Sequence, residues 1–381
     1  MKKQIWIFIY CIFAYIFIGC NSNKKEEIIS HDYTIKIDLK NSSQLNIEDI
    51  AVFHSLVPLE TSDDIIIGKI GQIFLTDSLI IIRDSQTGDI PVFGYDGNFK
   101  YKIGKKGQGP EEYVKNYNIF VDKYQNIISV SDMATRRIIT YDLQGNFLDS
   151  KKVDFFMYNF IPYQSGYWSV NGGQNREKYD LIYTNKDNQI EQGYFPINSE
   201  APLIFTNNFY NNNGEFMYHS PYSDYLYKIS KNKVKPYIYV DFGKKKRKYT
   251  SNMDANNIAA LIKSSDYMGR IQNVFFHNDK VFFTFYDFFA ESRMLKAYYC
   301  YAILNQPDVE PVIYDHKINY SEEVFISPNP EILNISESKI IFQIEPNVWN
   351  ENTYEKLKGS KYENLFNSES NPILVLYEIK D

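Results

Sequence analysis

Five polar side chains follow strand-like segments in two parts of the chain, and they are the residues best suited to chemistry. They are Asp132, Arg136, Arg137, His219 and Asp224. Arginine can hold a carboxylate through two parallel hydrogen bonds, and Asp or His can act as an acid, a base or a ligand. The alternative that we prefer is structural, with the aspartates capping turns and the arginines pairing with neighbours. We therefore treat all five as candidates for ligand binding and assign no catalytic residue.

The sequence shows none of the common catalytic or metal-binding patterns. Its histidines form neither an H-E-x-x-H motif nor a close pair, and no G-x-S-x-G segment is present. Asp84 to Asp89 begins like a calcium loop, but the twelfth position is Tyr95 instead of Glu, so a hairpin turn is the better interpretation. Neither a metal nor a cofactor is predicted.

The N-terminus indicates export. Met1 to Lys3 is basic, Ile5 to Ile18 is an apolar run that is short for a membrane span, and the sequence FIGC ends at Cys20. This resembles a bacterial lipobox, in which residues 1–19 are removed as a signal peptide and Cys20 carries the lipid. The partner so implied is a membrane, through the lipid anchor. The alternative is an uncleaved signal anchor.

Residues 20–45 are polar enough at their start to predict a flexible tether. The KKEE sequence ending at Glu27 resembles the export signal of Bacteroidetes surface lipoproteins, and an ordinary charged linker is the alternative. Of the three cysteines, Cys300 alone has no role in the signal or the anchor. We interpret it as a small buried residue in a strand.

A repeated unit organises the rest of the chain. Ile127 to Leu148 alternates apolar and polar residues between two turns, and a similar text lies 48 residues upstream. Asp84 then aligns with Asp132, Phe93 with Tyr141, and a Gly-Asn-Phe turn with another such turn. Four short strands in about 40 residues are typical of one blade of a β-propeller.

Six such units can be counted, so the predicted fold is all-β, a six-bladed β-propeller over residues 46–381. The units are 68–102, 118–156, 158–198, 205–243, 272–315 and 323–380. A strand near Val52–Leu59 has no partner in the first unit and is predicted to close the last blade. Tyrosines fall in comparable third-strand positions, at 141, 183, 227 and 301. Two short helical inserts are expected, at 251–264 and 351–366, and an open solenoid is the alternative architecture.

The segment from Gly104 to Tyr113 reads GKKGQGPEEY. Together with Val57 to Thr61 (VPLET) and Ser223 to Tyr227 (SDYLY), it resembles Bacteroidetes six-bladed β-propeller lipoproteins, whose fold is similar to NHL-type propellers. The resemblance implies a fold and a compartment, the outer membrane, facing either the surface or the periplasm. It implies little about chemistry.

The expected function is that of a membrane-anchored binding module for a protein partner or a glycan, more in keeping with the sequence than an enzyme. Aromatic residues make up 17% of the chain and the net charge is −6, which gives no sign of nucleic-acid binding. The alternatives are a hydrolase or polysaccharide lyase with its site at the mouth of the central channel, and a purely structural subunit.

Overall fold

The structure is a computed structural model that describes residues 29–153, 159–170, 179–198, 200–201, 209–212, 214–230, 233–306, 310–319, 332–336, 338–344 and 370–380. It is a six-bladed β-propeller, as predicted, and each blade contains a four-stranded antiparallel meander.

The strands follow the chain in blade order. Three strands precede the first blade: β1 (Tyr33–Lys36), β2 (Ser43–Asn46) and β3 (Ala51–Pro58). Blade 1 contains β4 (Ile70–Leu75), β5 (Leu79–Asp84), β6 (Pro91–Gly94) and β7 (Phe99–Lys102), and a small ribbon of β8 (Lys105–Lys106) and β9 (Glu112–Tyr113) follows it. Blade 2 contains β10 (Asn116–Asp122), β11 (Ile127–Asp132), β12 (Arg137–Asp142) and β13 (Phe147–Lys152). Blade 3 contains β14 (Asn159–Tyr163), β15 (Gly166–Val170), β16 (Tyr179–Thr184) and β17 (Ile190–Pro196).

The remaining blades have the same order. Blade 4 contains β18 (Phe209–Asn212), β19 (Glu215–His219), β20 (Tyr225–Ser230) and β21 (Lys233–Asp241). Blade 5 contains β22 (Tyr267–His277), β23 (Lys280–Phe289), β24 (Met294–Ile303) and β25 (Val312–Asn319). Blade 6 contains β26 (Ile332–Ser336), β27 (Lys339–Ile344) and β28 (Ile373–Ile379). The tyrosines at 141, 183, 227 and 301 lie in the third strands β12, β16, β20 and β24, as expected.

The core lies between the blades. The first strand of each blade contacts the first strand of a neighbouring blade, so these strands surround the central axis. In β5, Ile80 packs in one cluster with Leu376 of blade 6, while Ile81 packs in another with Val130 of blade 2. Because successive side chains of a strand point to opposite faces, a strand buried on both faces needs a continuous apolar run. The sequence LIII at the start of β5 has this pattern.

The N-terminal strand closes the ring. Strand β3 pairs antiparallel with β28, with Ala51 opposite Ile379 and Pro58 opposite Ile373. It is the fourth strand of blade 6, which confirms the prediction from the sequence. Closure joins the two ends of the propeller domain through one sheet and covers the edge that β28 would otherwise expose.

The chain enters the propeller earlier than the sequence indicates. Strand β1 pairs in parallel with β21 of blade 4, and β2 pairs in parallel with β25 of blade 5. Ile35 and Leu45 are buried, with Leu45 fully so. A tether extending to residue 45 is therefore a wrong boundary, because residues 33–46 form a strap along the outer edges of blades 4 and 5. Each strand of this strap buries one residue, which is too little to show as a periodic pattern.

Two short α-helices complete the described elements. Helix α1 (Ile47–Ile50) links the strap to β3, and 3₁₀ turns lie at Leu39–Asn41 and Gly243–Lys245. Helix α2 (Ala255–Ser264) confirms the first predicted insert, and the Asp254 side chain caps it by accepting from the Asn257 amide at 2.9 Å. The second predicted insert, 351–366, lies outside the described residues. No helix in the described part of the chain is long and apolar enough to cross a membrane.

The meander gives the ring two distinct faces. The turns between the second and third strands lie on the same side as the connections between blades, and we name this side the connector face. The turns between the first and second strands and between the third and fourth strands lie on the opposite side, the hairpin face. All five candidate residues of the sequence analysis lie in or beside turns of the connector face.

Candidate functional site

Asp132 holds the connection between blades 1 and 2. Its carboxylate accepts from the amides of Val114, Lys115 and Ala134 at 3.1, 3.1 and 3.2 Å, and from the Thr135 hydroxyl at 2.5 Å. These donors lie both in the turn after β11 and in the connection that enters blade 2. Asp132 thus caps its turn, and its buried carboxylate is occupied by these four hydrogen bonds.

Asp84 has the same role one blade earlier, as the repeat predicts. It accepts from the amides of Gly68 and Lys69, which precede β4, and from those of Gln86 and Thr87 in its own turn. Burial opposes ionisation, but these hydrogen bonds outweigh it and hold the pKa of Asp84 below its ordinary value. Four N–H donors surround this carboxylate where a calcium loop would place oxygen ligands, so the hairpin-turn interpretation is confirmed.

Arg137 holds the GKKGQGPEEY segment in place. Its guanidinium donates to the carbonyl of Glu112 at 2.9 Å and to that of Gly109 at 3.2 Å, while its Nε donates to the Thr135 hydroxyl at 2.8 Å. The Tyr141 hydroxyl donates to the carbonyl of Glu111, at 2.8 Å. The segment is thus a structural connection on the connector face.

Two glycines of this segment are required by close approaches. A Cβ on Gly107 would lie 1.8 Å from Oε2 of Glu112. Gly104 has a φ of +58°, and a Cβ there would lie 2.5 Å from the Tyr141 hydroxyl. The Glu112 carboxylate accepts from the Gly109 amide at 2.9 Å and pairs with Lys105 at 3.0 Å. The fixed geometry of the loop accounts for the glycines at these two positions.

Arg136 differs from its neighbour. It is exposed, and its φ of +54° places it in the left-handed region at the tip of the turn. Of the candidates in blade 2, it is the one whose charge points to solvent from the connector face.

His219 and Asp224 belong to a separate network in blade 4. The His219 Nε2 donates to the Ser223 carbonyl at 2.9 Å, and burial, together with the nearby Arg247 cation, lowers the pKa of His219 to about 3. The imidazole is therefore neutral at physiological pH. In the described part of the chain no hydrogen bond or ion pair joins this network to the candidates of blade 2.

Arg247 completes this network, and no motif in the sequence marks it. Its guanidinium donates to the Asp224 carboxylate and to the Pro221 carbonyl, both at 2.6 Å, and its side chain is only 4% exposed. Burial raises the pKa of Asp224, and the Arg247 cation opposes that shift. Arg247 lies in the basic run 244–248 among lysines, and its burial is the property that the sequence does not reveal.

A group of aromatic rings extends from this network toward blade 5. Tyr222 and Tyr249 have centroids 6.3 Å apart, Tyr249 and Tyr267 are 5.5 Å apart, and Tyr267 and Phe288 are 5.2 Å apart. The guanidinium carbon of Arg247 lies 5.7 Å from the Tyr249 ring centroid, in a cation–π contact. We name these four rings with Arg247 the tyrosine patch.

Three exposed lysines border the tyrosine patch, and we name them the lysine loop: Lys244, Lys246 and Lys248. The fourth lysine of the run, Lys245, turns inward and pairs with the buried Asp287 of blade 5 at 2.8 Å. That ion pair fixes the loop to the blade. The connector face between blades 4 and 5 therefore presents positive charge beside three half-buried rings, those of Tyr222, Tyr267 and Phe288, while Tyr249 is buried.

The other chemical candidates have simple outcomes. Cys300 is buried and free, as interpreted from the sequence, and burial raises the pKa of its thiol. Cys20 lies outside the described residues. Among the described residues, no group of three or more His, Cys, Asp and Glu is arranged to hold a metal ion.

Comparisons with known proteins agree with this fold. The sequence matches the domain of unknown function DUF4934 over residues 32–378. No curated protein matches the chain. A Bacteroides fragilis protein described as exported has a similar structure, with a TM-score of 0.70 and 18% identity, over 91% of this chain and 99% of that one. A member of the DUF4221 family from Bacteroides vulgatus has a TM-score of 0.50 and 9% identity, over 87% and 98% of the two chains.

Proposed function

We propose that this chain, which belongs to the DUF4934 family, is an exported, lipid-anchored propeller that acts as a binding module. The proposed site of contact with a protein partner is the tyrosine patch with its lysine loop. Tyr and Phe are enriched in the cores of protein interfaces, and charges at the rim guide the approach of a partner of opposite sign. The net charge of the chain is −6, so the lysine loop is a local region of opposite sign. Its positive charge favours an acidic partner surface.

The observation that carries the proposal is how the polar residues of the connector face are used. Asp132 and Arg137 are committed to main-chain groups, and Asp224 is paired with Arg247 at 2.6 Å. Such groups have little freedom to take part in proton transfer or nucleophilic attack. The tyrosine rings and the lysine loop remain as the distinctive surface, and their chemistry is that of recognition.

The route of the chain is compatible with an anchor that leaves this face open. Strand β1 runs parallel to β21, and β21 runs from the hairpin face to the connector face, so the chain enters blade 4 on the hairpin side. Twelve residues separate Cys20 from Tyr33 (33 − 20 − 1), a segment that can reach at most about 45 Å. A lipid on Cys20 would keep the propeller close to an outer membrane, with the connector face turned away from the anchor point.

Two measurements test the proposal. Radiolabelled palmitate is expected to label the wild-type chain and to be lost in Cys20→Ala. Crosslinking in intact cells, followed by purification, is expected to recover one defined partner with the wild-type chain and not with a Lys244→Glu, Lys248→Glu variant. The matched control carries Lys186→Glu and Lys233→Glu, exposed lysines on the hairpin face. Equal recovery by both variants would place the contact elsewhere.

The second candidate function is a hydrolase or polysaccharide lyase. One observation favours it: the buried Asp180 accepts from the Tyr218 hydroxyl at 2.6 Å and from the Ser220 hydroxyl at 3.1 Å, where blades 3 and 4 meet. Burial raises the pKa of Tyr218, so the phenol stays protonated and could serve only as a donor. Turnover of a polysaccharide that is abolished in Asp180→Asn would support this function over simple binding.

A further inference from the structure

A cavity of about 440 Å³ opens on the hairpin side, where the outer strand of blade 4 meets the turns of blade 5. Its lining residues come from the strap, from β21 and from two turns of blade 5: Tyr33, Tyr237, Asn278, Asp279, Leu304 and Asn305. Pockets that bind small ligands typically measure about 300–1,000 Å³. The cavity lies on the opposite side of the ring from the tyrosine patch.

Three other blade junctions are closed at the corresponding place. Between blades 6 and 1, the amide of Glu60 donates to the Gly97 carbonyl at 2.9 Å. Between blades 1 and 2, the Tyr101 hydroxyl donates to the Leu143 carbonyl. Between blades 2 and 3, the Asn188 side chain donates to the Lys152 carbonyl at 2.6 Å. In these three junctions the fourth strand or its end contacts the next blade directly, and the cavity at blades 4 and 5 departs from that arrangement.

The strap forms one wall of the cavity. The Asp32 amide donates to the Tyr237 carbonyl at 3.0 Å, which fixes the start of β1 against β21. Tyr33 then lies against Tyr237 with ring centroids 5.3 Å apart and planes at 83°, and its hydroxyl donates to Oδ1 of Asn305 at 3.2 Å. The two rings form a corner whose position is set by main-chain hydrogen bonds. The cavity is therefore complete only when the strap is docked.

The lining has the chemistry of sugar recognition. A sugar ring presents C–H groups that pack on aromatic rings, and hydroxyls that pair with amides and carboxylates. The corner of Tyr33 and Tyr237 supplies the aromatic surface. The Asn278 and Asn305 side chains are exposed, and each carries a carbonyl acceptor and an NH₂ donor. The Tyr237 phenol is a neutral donor, because burial and the contact with Tyr33 raise its pKa to about 12.

Asp279 gives the cavity its charge preference. Its main-chain carbonyl accepts from the Leu304 amide at 2.8 Å, which joins the two turns of blade 5. Within the described ranges, its carboxylate has no salt bridge to a cation. A carboxylate can accept two hydroxyls of one sugar and repels a second carboxylate. Uronic acids are thereby disfavoured.

We propose that this cavity binds a neutral glycan, one or two sugar rings at a time. The ring corner of Tyr33 and Tyr237 receives an apolar sugar face, while Asn278, Asp279 and Asn305 take the hydroxyls. This proposed glycan site is independent of the tyrosine patch, because the two surfaces lie on opposite faces of the propeller.

The test is affinity gel electrophoresis of the full chain in detergent, with a polysaccharide cast in the gel. The probes are three neutral polymers (a glucan, a mannan and a galactan) and one acidic polymer, polygalacturonate. We expect retardation by at least one neutral polymer and none by the acidic one. Tyr237→Ala and Asn305→Ala should each weaken the apparent affinity by about tenfold or more. Asn305 is exposed, so this variant serves the test even where Tyr237→Ala fails to fold.

The matched control is Tyr124→Ala, which removes a tyrosine that is 76% exposed in a hairpin-face turn of blade 2. It should leave the retardation unchanged, as should the lysine-loop variant Lys244→Glu, Lys248→Glu. No retardation by any neutral polymer, or equal retardation of wild type and the Asn305→Ala variant, would overturn the proposal. Preference for polygalacturonate would do so as well. Partner capture through the lysine loop can succeed or fail separately.

Discussion

Arg137 donates from its guanidinium to the main-chain carbonyl of Glu112 at 2.9 Å, and so a turn of blade 2 holds the connection that enters the same blade. Asp132 does the same with the amides of Val114 and Lys115. One side chain supplies donors and the other supplies acceptors, and together they satisfy main-chain groups of a connection that has little secondary structure of its own. The charged residues of these turns hold the connections between successive blades in place.

Replacing Arg137 by Gln should destabilise the propeller by about 1–3 kcal/mol, because hydrogen bonds from a charged donor to several carbonyls are lost. Glutamine keeps part of the aliphatic stem but cannot span the carbonyls of Gly109 and Glu112. Equilibrium unfolding in urea measures the change, read as a shift of the transition midpoint.

The adjacent Arg136→Gln is the control for that measurement. Arg136 is exposed at the tip of the same turn, so its replacement should change stability by less than about 0.5 kcal/mol. Equal effects of the two substitutions would show that general charge, and not the contacts of Arg137, stabilises the connection.

Asp84→Asn should destabilise the fold at pH 7 and lose its effect in acid. The folded pKa of Asp84 is depressed, mainly because backbone hydrogen bonds outweigh burial, so its stabilisation is present above the unfolded pKa of about 3.9. It is lost as the pH falls through the lower folded pKa, where the wild type becomes protonated. Urea midpoints of wild type and variant should therefore differ at pH 7, and the difference should shrink as the pH falls below about 3.9. A difference that is constant with pH would contradict the assigned role.

The repeat could be recognised in the sequence because equivalent positions of two blades carry similar side chains that make equivalent contacts. The offset that aligns Asp84 with Asp132 predicted equivalent turns, and both carboxylates cap a turn and the preceding connection. Likewise Phe93 packs on Phe99 edge to face, with centroids 6.0 Å apart, and Tyr141 packs on Phe147 at 6.4 Å. Closure by β3 was predictable because a strand without a partner needs a sheet.

The strap and Arg247 could not be read in the same way. Strand β1 has four residues with Ile35 alone buried, and it pairs in parallel with a strand about 200 residues away, so no local pattern marks it. Arg247 lies among lysines, and its partner Asp224 is more than 20 residues earlier in the chain. The cavity beside Tyr33 depends on how the strap docks, a long-range property. Sequence periodicity reports the local faces of strands and not which distant strands meet.

Because of His219, the free energy of unfolding should decrease as the pH falls from 7 to 5. Its folded pKa of about 3, lowered by burial and then by Arg247, is far below the unfolded value of about 6.5, so the unfolded state binds the extra proton first. The cost follows from 1.36 kcal/mol per pH unit and amounts to about 2 kcal/mol at pH 5. His219→Gln removes the titrating group, and its urea midpoint should change less over this range. Parallel pH profiles of wild type and variant would contradict a buried neutral imidazole.

Leu45→Ala separates a structural strap from a tether. Leu45 is fully buried in β2 and packs in the cluster that contains Tyr299 of blade 5 and Phe342 of blade 6. Truncating a buried leucine to alanine typically costs about 2–5 kcal/mol, from lost burial and from the cavity left behind. The control is Ser43→Ala, an exposed position on the same strand, which should be nearly neutral. Urea unfolding measures both, and a Leu45→Ala midpoint equal to that of Ser43→Ala would mean that residues 43–46 add nothing to the core of the propeller.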